Sequence, residues 1–363
     1  MILIINQTSS PLFEDLLIAL KKKSKIKLFK GIEYKRNNFL ARIYTWLLYT
    51  IQVAIHLARF KRNYKKILVV TNPPFTQYIV ALSGIPFSIL VYDIYPNVLA
   101  QLNLPKKLFL IICRFWNLLN LYSFKRSTYI FTLTKEMSKE LKSIFNSSQE
   151  WGEKVKVIKP WINSSLTKNF HKTVRFKRND DSKILISYAG NLGLTHPIEP
   201  LLNSAKTIYK NVEIVIVGDG PKKSSLIELS KKYNLNKDTL KFMNPLPIKK
   251  LIALSKASDL AVVAIDGPSS NSSLPSKLFT AIFTSTPILA IAPINSSLSR
   301  IINYYNCGFI IEPNKNTEKN IINCINNLIK NPELINSKKI NMKKASNSFN
   351  VKNANLLVDL FLS

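Results

Sequence analysis

Three pieces decide the reading of this chain: SYAGNLGLTHPIEPLL at 187–202, VEIVIVGDGP at 212–221 and LPSKLF at 274–279. The first two are apolar strands running into a glycine turn and then a helix-like stretch. α/β proteins use that arrangement to bring backbone N–H groups and helix N-termini to a phosphate. The third places Ser276 and Lys277 at a helix start, after Leu274-Pro275. Together the pieces point to a ligand bearing a diphosphate.

Around this core the sequence alternates strand and helix patterns. In the first part, Ile2–Ile5, KKILVV (65–70), PFSILVYDIYP (86–96), STYIFTLT and VKVIKPWIN (155–163) read as strands. PLFEDLLIALKKK, KKLFLIICRFWNLLNLYSFKR and KEMSKELKSIF read as helices. KILISYAG, VEIVIVG, LKFM, DLAVVAI, PILAIAP and GFIIEP continue as strands, and ASNSFNVKNANLLVDLFLS as a final amphipathic helix. Such alternation predicts mainly parallel sheets covered on both faces. The polar stretch NFHKTVRFKRNDDS (169–182) reads as a linker. The expected domains are 1–178, 179–340 and a C-terminal helix at 341–363 packing back on the first.

Composition narrows the class. The chain has 363 residues, room for two α/β domains. Three scattered cysteines and three histidines argue against a disulfide framework or a metal centre. The opening MILIINQTSS lacks a basic leader and reads as a buried strand. Ile43–Ala58 is apolar but too short for a span. The segment from Lys35 to Lys66 reads either as a membrane-contact helix or as a core helix with a basic rim. The net charge is +31, concentrated in 1–178, which hold 30 Lys/Arg against 8 Asp/Glu. That field favours polyanions, including nucleic acid and an anionic membrane face, although heavy use of lysine throughout accounts for part of it. No nucleic-acid module is recognisable.

Single residues carry less. Gly190 and Gly193 suit close backbone approach, yet glycines are common in such turns. Asp219, within Gly218-Asp219-Gly220, reads as a cap for the next helix before it reads as a ligand contact. Lys277 is a point charge for a phosphate. Asp93, at the end of a strand, suits a base, an acceptor of a substrate hydroxyl, or a cap.

Taken in this order and spacing, the pieces resemble glycosyltransferase family 4, and more closely its bacterial polysaccharide and O-antigen transferases of the L-fucosaminyltransferase type. INQTSSPLFEDLLIAL, VTNPPF, LVYDIYPNVLAQL and VIKPWIN fall at recurrent positions of the first domain. YAGNLGLTHPIEPLL, IVIVGDGP, LSKASDLAVVAI, LPSKLFTAIFTSTPILAIAP and NCGFIIEPN fall in the donor domain. The resemblance implies the GT-B fold, two Rossmann-like doubly wound domains facing a central cleft. It implies a retaining transfer from a nucleotide-sugar, UDP-sugar first, to a lipid-linked saccharide, without a metal or other cofactor. The place implied is cytoplasmic, peripheral on the inner face of the membrane. Gly190 and Gly193 would cover the diphosphate, with Asn191 and His196 where many members carry arginine and lysine. Gly218, Asp219, Gly220, Met243 and Asn244 would lie near the nucleobase, and Ser276 and Lys277 at the diphosphate. Asp93 and Lys277 would be the catalytic pair.

Departures are plain. The E-x7-E positions read Ser272 and Thr280, and the His and Glu of the DxWPE-like motif read Tyr92 and Asn97. Thr280 motivates one alternative, a weakened nucleotide-binding partner subunit; another GT-B enzyme, a sugar-nucleotide epimerase, is the other, but it needs paired catalytic carboxylates and no convincing pair is found.

Overall fold

The computed structural model describes all residues except 9–10, 35–38, 103–104, 145–152, 165, 167–174, 194–195, 268–269 and 272–273. The chain forms two compact units, one mainly Met1–Trp161 with Val351–Ser363, the other Ile162–Ser270 with Leu274–Asn350.

The first unit holds a parallel sheet ordered β2-β1-β3-β4-β5-β6. Its strands are β1 (Ile2–Ile5), β2 (Ile26–Leu28), β3 (Lys66–Val70), β4 (Phe87–Val91), β5 (Ile130–Thr132) and β6 (Val155–Val157). Strand periodicity splits the apolar runs between two faces. Ile2 and Ile4 meet α1 (Pro11–Lys23) and the last helix, Lys352–Leu362, through Phe13, Leu16, Leu357 and Phe361. Leu3 and Ile5 face the other way, toward a layer made by α2 (Phe39–Phe60), α3 (Thr76–Leu82), α4 (Lys106–Arg126) and α5 (Lys135–Ile144). Two faces of cover explain why these strands are apolar without alternation.

The second unit repeats the plan with a parallel sheet ordered β12-β11-β10-β7-β8-β9. Its strands are β7 (Ile184–Ala189), β8 (Val212–Val217), β9 (Leu240–Met243), β10 (Leu260–Ala264), β11 (Ile288–Ile291) and β12 (Gly308–Ile311). The helices between them are α6 (Glu199–Ile208), α7 (Lys223–Lys232), α8 (Ile248–Ala257), α9 (Lys277–Thr284), α10 (Ser297–Tyr305) and α11 (Thr317–Lys330), followed by α12 (Glu333–Ser348). Helix α13 is Lys352–Leu362, so the expected single C-terminal helix is two, interrupted at Phe349–Val351. Phe349 is buried against Phe279 and Tyr305.

The sequence direction reverses between β7, which leads to β8 and β9, and β10, which leads to β11 and β12. Ligands of open α/β sheets bind outside the carboxyl ends of strands at such a switch point. The expected linker lies outside the described residues up to 174. Beyond that, Phe176 packs on the second unit's core, and Arg178 pairs with Asp259 at 2.7 Å. This part of the polar stretch is therefore fixed to the second unit by its own side chains.

Candidate functional site

At the switch point of the second sheet, Lys277 opens α9 and lies against the turn that follows β7. An added Cβ at Gly190 would sit 2.4 Å from Lys277 Cε and 3.1 Å from its Nζ. The ammonium lies over the Tyr188 ring, 4.9 Å from its centroid. The Tyr188 hydroxyl donates to the Asn191 carbonyl at 2.5 Å, so one side chain holds the turn and floors the lysine. Burial penalises the charge and lowers the Lys277 pKa to about 8. A desolvated ammonium is a strong partner for a phosphate, because little water has to be displaced.

The two glycine turns are stitched to each other. Gly190 N–H donates to Val217 O at 2.8 Å, Leu192 N–H to Asp219 O at 2.8 Å and Lys222 N–H to Leu192 O at 3.1 Å. Gly218 N–H donates to Met243 O at 3.0 Å. A Cβ at Gly218 would come within 2.0 Å of Gly190 O, and one at Gly220 within 2.7 Å of Leu192 O. Both glycines have positive φ, +151° and +148°. The glycines let the two turns pack against each other. Their hydrogens at 190, 218 and 220 are consumed inside the protein, and the absence of Cβ atoms lets the turns approach.

His196 stands beside Gly193, whose added Cβ would meet its Nδ1 at 3.1 Å and Asn191 Nδ2 at 2.8 Å. His196 Nδ1 is buried without a hydrogen-bond partner. Burial first, then the charges of Lys277 and Lys222, lower its pKa to about 3. It is therefore a neutral imidazole at pH 7, able to offer a hydrogen bond and not a charge. Where the resemblance puts an arginine or lysine in many members, this chain therefore presents an uncharged ring. Lys222 bonds the His196 carbonyl at 3.2 Å and Glu199 at 2.8 Å, tying the turn to the start of α6.

Asp219 does not cap α7. Its carboxylate accepts the Gly220 N–H at 2.9 Å and lies 3.9 Å from Lys223 Nζ, and the helix has no side-chain cap bond. Asn244 accepts from Lys223 Nζ at 2.8 Å, next to the Gly218–Met243 contact at the end of β9. Ser276 precedes α9 and is exposed, and its side chain makes no cap bond. Thr280 lies one turn into α9, and its carbonyl accepts from Thr284. Ser272 lies outside the described residues.

Asp93 belongs to the first unit, just past β4. Its backbone carbonyl accepts from the Thr71 hydroxyl at 3.2 Å. Thr71, Gln77, Asp93, Tyr95 and Asn120 line one small cavity. Asn120 organises it, accepting from Gln77 at 2.9 Å and Tyr78 at 2.8 Å and donating to Tyr95 O at 2.7 Å. Desolvation raises the Asp93 pKa to about 6.

Residues 170–346 match the family model described as glycosyl transferases group 1. The two six-stranded sheets are those of GT-B glycosyltransferases. HepE of Anabaena, solved in complex with UDP, is 15% identical with a TM-score of 0.69, and 99% of each chain is covered. WaaG, a glycosyltransferase involved in lipopolysaccharide biosynthesis, is 13% identical at 0.70, again with 99% of each chain. Sucrose-phosphate synthase of Thermosynechococcus elongatus is 12% identical at 0.72, over 99% of this chain and 98% of that one. At these identities the likeness is one of fold. No curated protein matched. The group 1 domain supports a glycosyltransferase.

The sequence reading of this site omitted Tyr188, Lys222 and Glu199. Tyr188 was visible as the single aromatic near the end of the strand that enters the glycine turn. Lys222 follows that turn's partner, Gly218–Pro221, but among so many lysines its position alone did not distinguish it.

Proposed function

We propose that this chain is a retaining glycosyltransferase of the family 4 type. It takes a sugar from a nucleoside-diphosphate sugar, UDP-sugar first, and passes it to a lipid-linked saccharide. The reading places it in cell-surface polysaccharide synthesis of the lipopolysaccharide or O-antigen kind, at the inner face of the cytoplasmic membrane. The observation that carries it is Lys277, held desolvated over Tyr188 against Gly190 at the switch point of the donor-side sheet. That two solved HepE structures of this fold hold UDP or UDP-glucose is consistent with such a donor.

Breaking the anomeric C–O bond leaves the electron pair and negative charge on the diphosphate. Lys277 stabilises that charge, and the neutral His196 and Asn191 offer hydrogen bonds beside it. The acceptor oxygen bonds to the anomeric carbon on the same face, and its proton passes to a leaving diphosphate oxygen. Asp93 orients the acceptor hydroxyl. Thr280, where an acid is usual, lowers the hold on the ribose and weakens donor affinity.

A thermal-shift screen of UDP-, GDP-, ADP- and dTDP-sugars, followed by product analysis with lipid-diphosphate saccharides, tests the reading. No stabilisation and no product refutes it. Product formed without an acceptor assigns an epimerase instead, and donor binding without turnover assigns a partner subunit.

A further inference from the structure

The helical layer on one face of the first sheet carries apolar side chains on its outer side. α2 buries Trp46, Tyr49, Val53 and Leu57 inward, yet Leu40, Tyr44, Leu47, Ile51 and Ile55 on its other side are exposed. In α4, Leu108, Ile111, Phe115, Leu118 and Tyr122 recur at alternating steps of three and four, which puts them on one stripe. Ile111 is 66% exposed and Phe115 65%. Soluble surfaces rarely leave contiguous apolar area of this kind without a partner. None of these helices is long and apolar enough to cross a membrane.

Charge identifies the partner. Lys107 and Arg114 are exposed and lie at helical spacing along the edge of the α4 stripe, and Lys106 is exposed at its start. Arg59 stands exposed at the end of α2. α2, α3 and α4 contain no Asp or Glu at all. An apolar stripe edged with cations and free of acids suits the boundary between headgroups and acyl chains of an anionic bilayer. A second copy of this chain suits it poorly, because two such faces would bring cations together with no carboxylate to pair them.

We infer that the outer face of the α2–α4 layer docks on an anionic phospholipid surface, with Ile111, Phe115 and Leu118 entering the interface and Lys107 and Arg114 meeting the headgroups. This rests on the proposed function for its purpose, delivery of a lipid-linked acceptor, and not for its physics. Sedimentation of the full chain with phosphatidylcholine vesicles, with and without a third phosphatidylglycerol, reads it directly. The expected result is binding to the anionic vesicles that salt weakens. The triple variant Ile111→Ser, Phe115→Ser, Leu118→Ser and the double variant Lys107→Glu, Arg114→Glu should each bind about tenfold more weakly or worse. Both should keep the wild-type response to UDP in a thermal-shift assay, which separates this test from failure of the donor reading. Equal sedimentation of wild type and both variants overturns the inference. So does a wild type that ignores anionic vesicles, including one that light scattering shows pairing through this face.

Discussion

Replacing Gly190 by alanine tests the contact between the glycine turn and Lys277. The new Cβ would lie 2.4 Å from Lys277 Cε, where ordinary contacts begin near 3.4 Å, so the lysine must move by about an ångström. Gly190 also has φ +142°, a region that side chains avoid, and holding alanine there costs roughly 1–3 kcal/mol. The strain alone should lower Tm by about 2–12 °C, at roughly 2–4 °C per kcal/mol. The larger effect should fall on the donor. Displacing the ammonium removes a charge-assisted hydrogen bond worth about 1.5–3 kcal/mol, or about 10- to 150-fold in Kd for UDP. A double-mutant cycle with Lys277→Ala isolates this effect, because the clash needs the lysine. Calorimetric titration with UDP should show Gly190→Ala weakening binding strongly in the wild type and little in the Lys277→Ala background. Equal losses in both backgrounds would refute the claim that Gly190 acts through Lys277.

Gly218→Ala should destabilise the fold more than Gly190→Ala, because its Cβ meets the Gly190 carbonyl at 2.0 Å and backbone cannot step aside; thermal melts compare the two. Affinity for UDP should fall as pH rises past about 8, where Lys277 loses its proton, and Lys277→Arg should flatten that profile. The same depressed pKa makes the charged lysine a cost in the free protein. The unfolded chain binds more protons between about 8 and 10.5, so stability of the ligand-free protein should rise through that window. Asp93→Asn should reduce transfer at least tenfold while leaving the UDP thermal shift unchanged, and wild-type transfer should decline as pH falls below about 6.

Much of the fold was legible because burial on two faces writes itself as unbroken apolar runs. LKFM coincides with β9, and KKLFLIICRFWNLLNLYSFKR and PLFEDLLIALKKK coincide with α4 and α1. β2 was missed because IKL is short and only partly buried, and so carries no run to detect. The break at Phe349–Val351 was missed because no glycine or proline marks it, and a buried aromatic anchors it instead. In the site, the glycine turns and Lys277 were legible as motifs. How the two turns pack was not, since the sequence does not show that Gly190 N–H bonds Val217 O or that Gly218 sits against the Gly190 carbonyl.

Among the described lysines of the site, two already have partners. Lys222 is engaged with Glu199, and Lys223 with Asn244. His196 is held neutral by burial and by the neighbouring lysines. On the proposed function, the charge that meets the diphosphate is chiefly that of Lys277, which burial makes costly and which a bound phosphate would relieve. A group poised in this way discriminates by charge. Binding a diphosphate raises the lysine's pKa from about 8, so uptake of UDP above that pH should draw protons from solution. Titrating UDP in buffers of different ionisation enthalpy at pH 8.5 measures the uptake, and Lys277→Arg should abolish it. Uptake that persists in the arginine variant would mean that another group, His196 foremost, titrates on binding and that the charge at the diphosphate is shared after all.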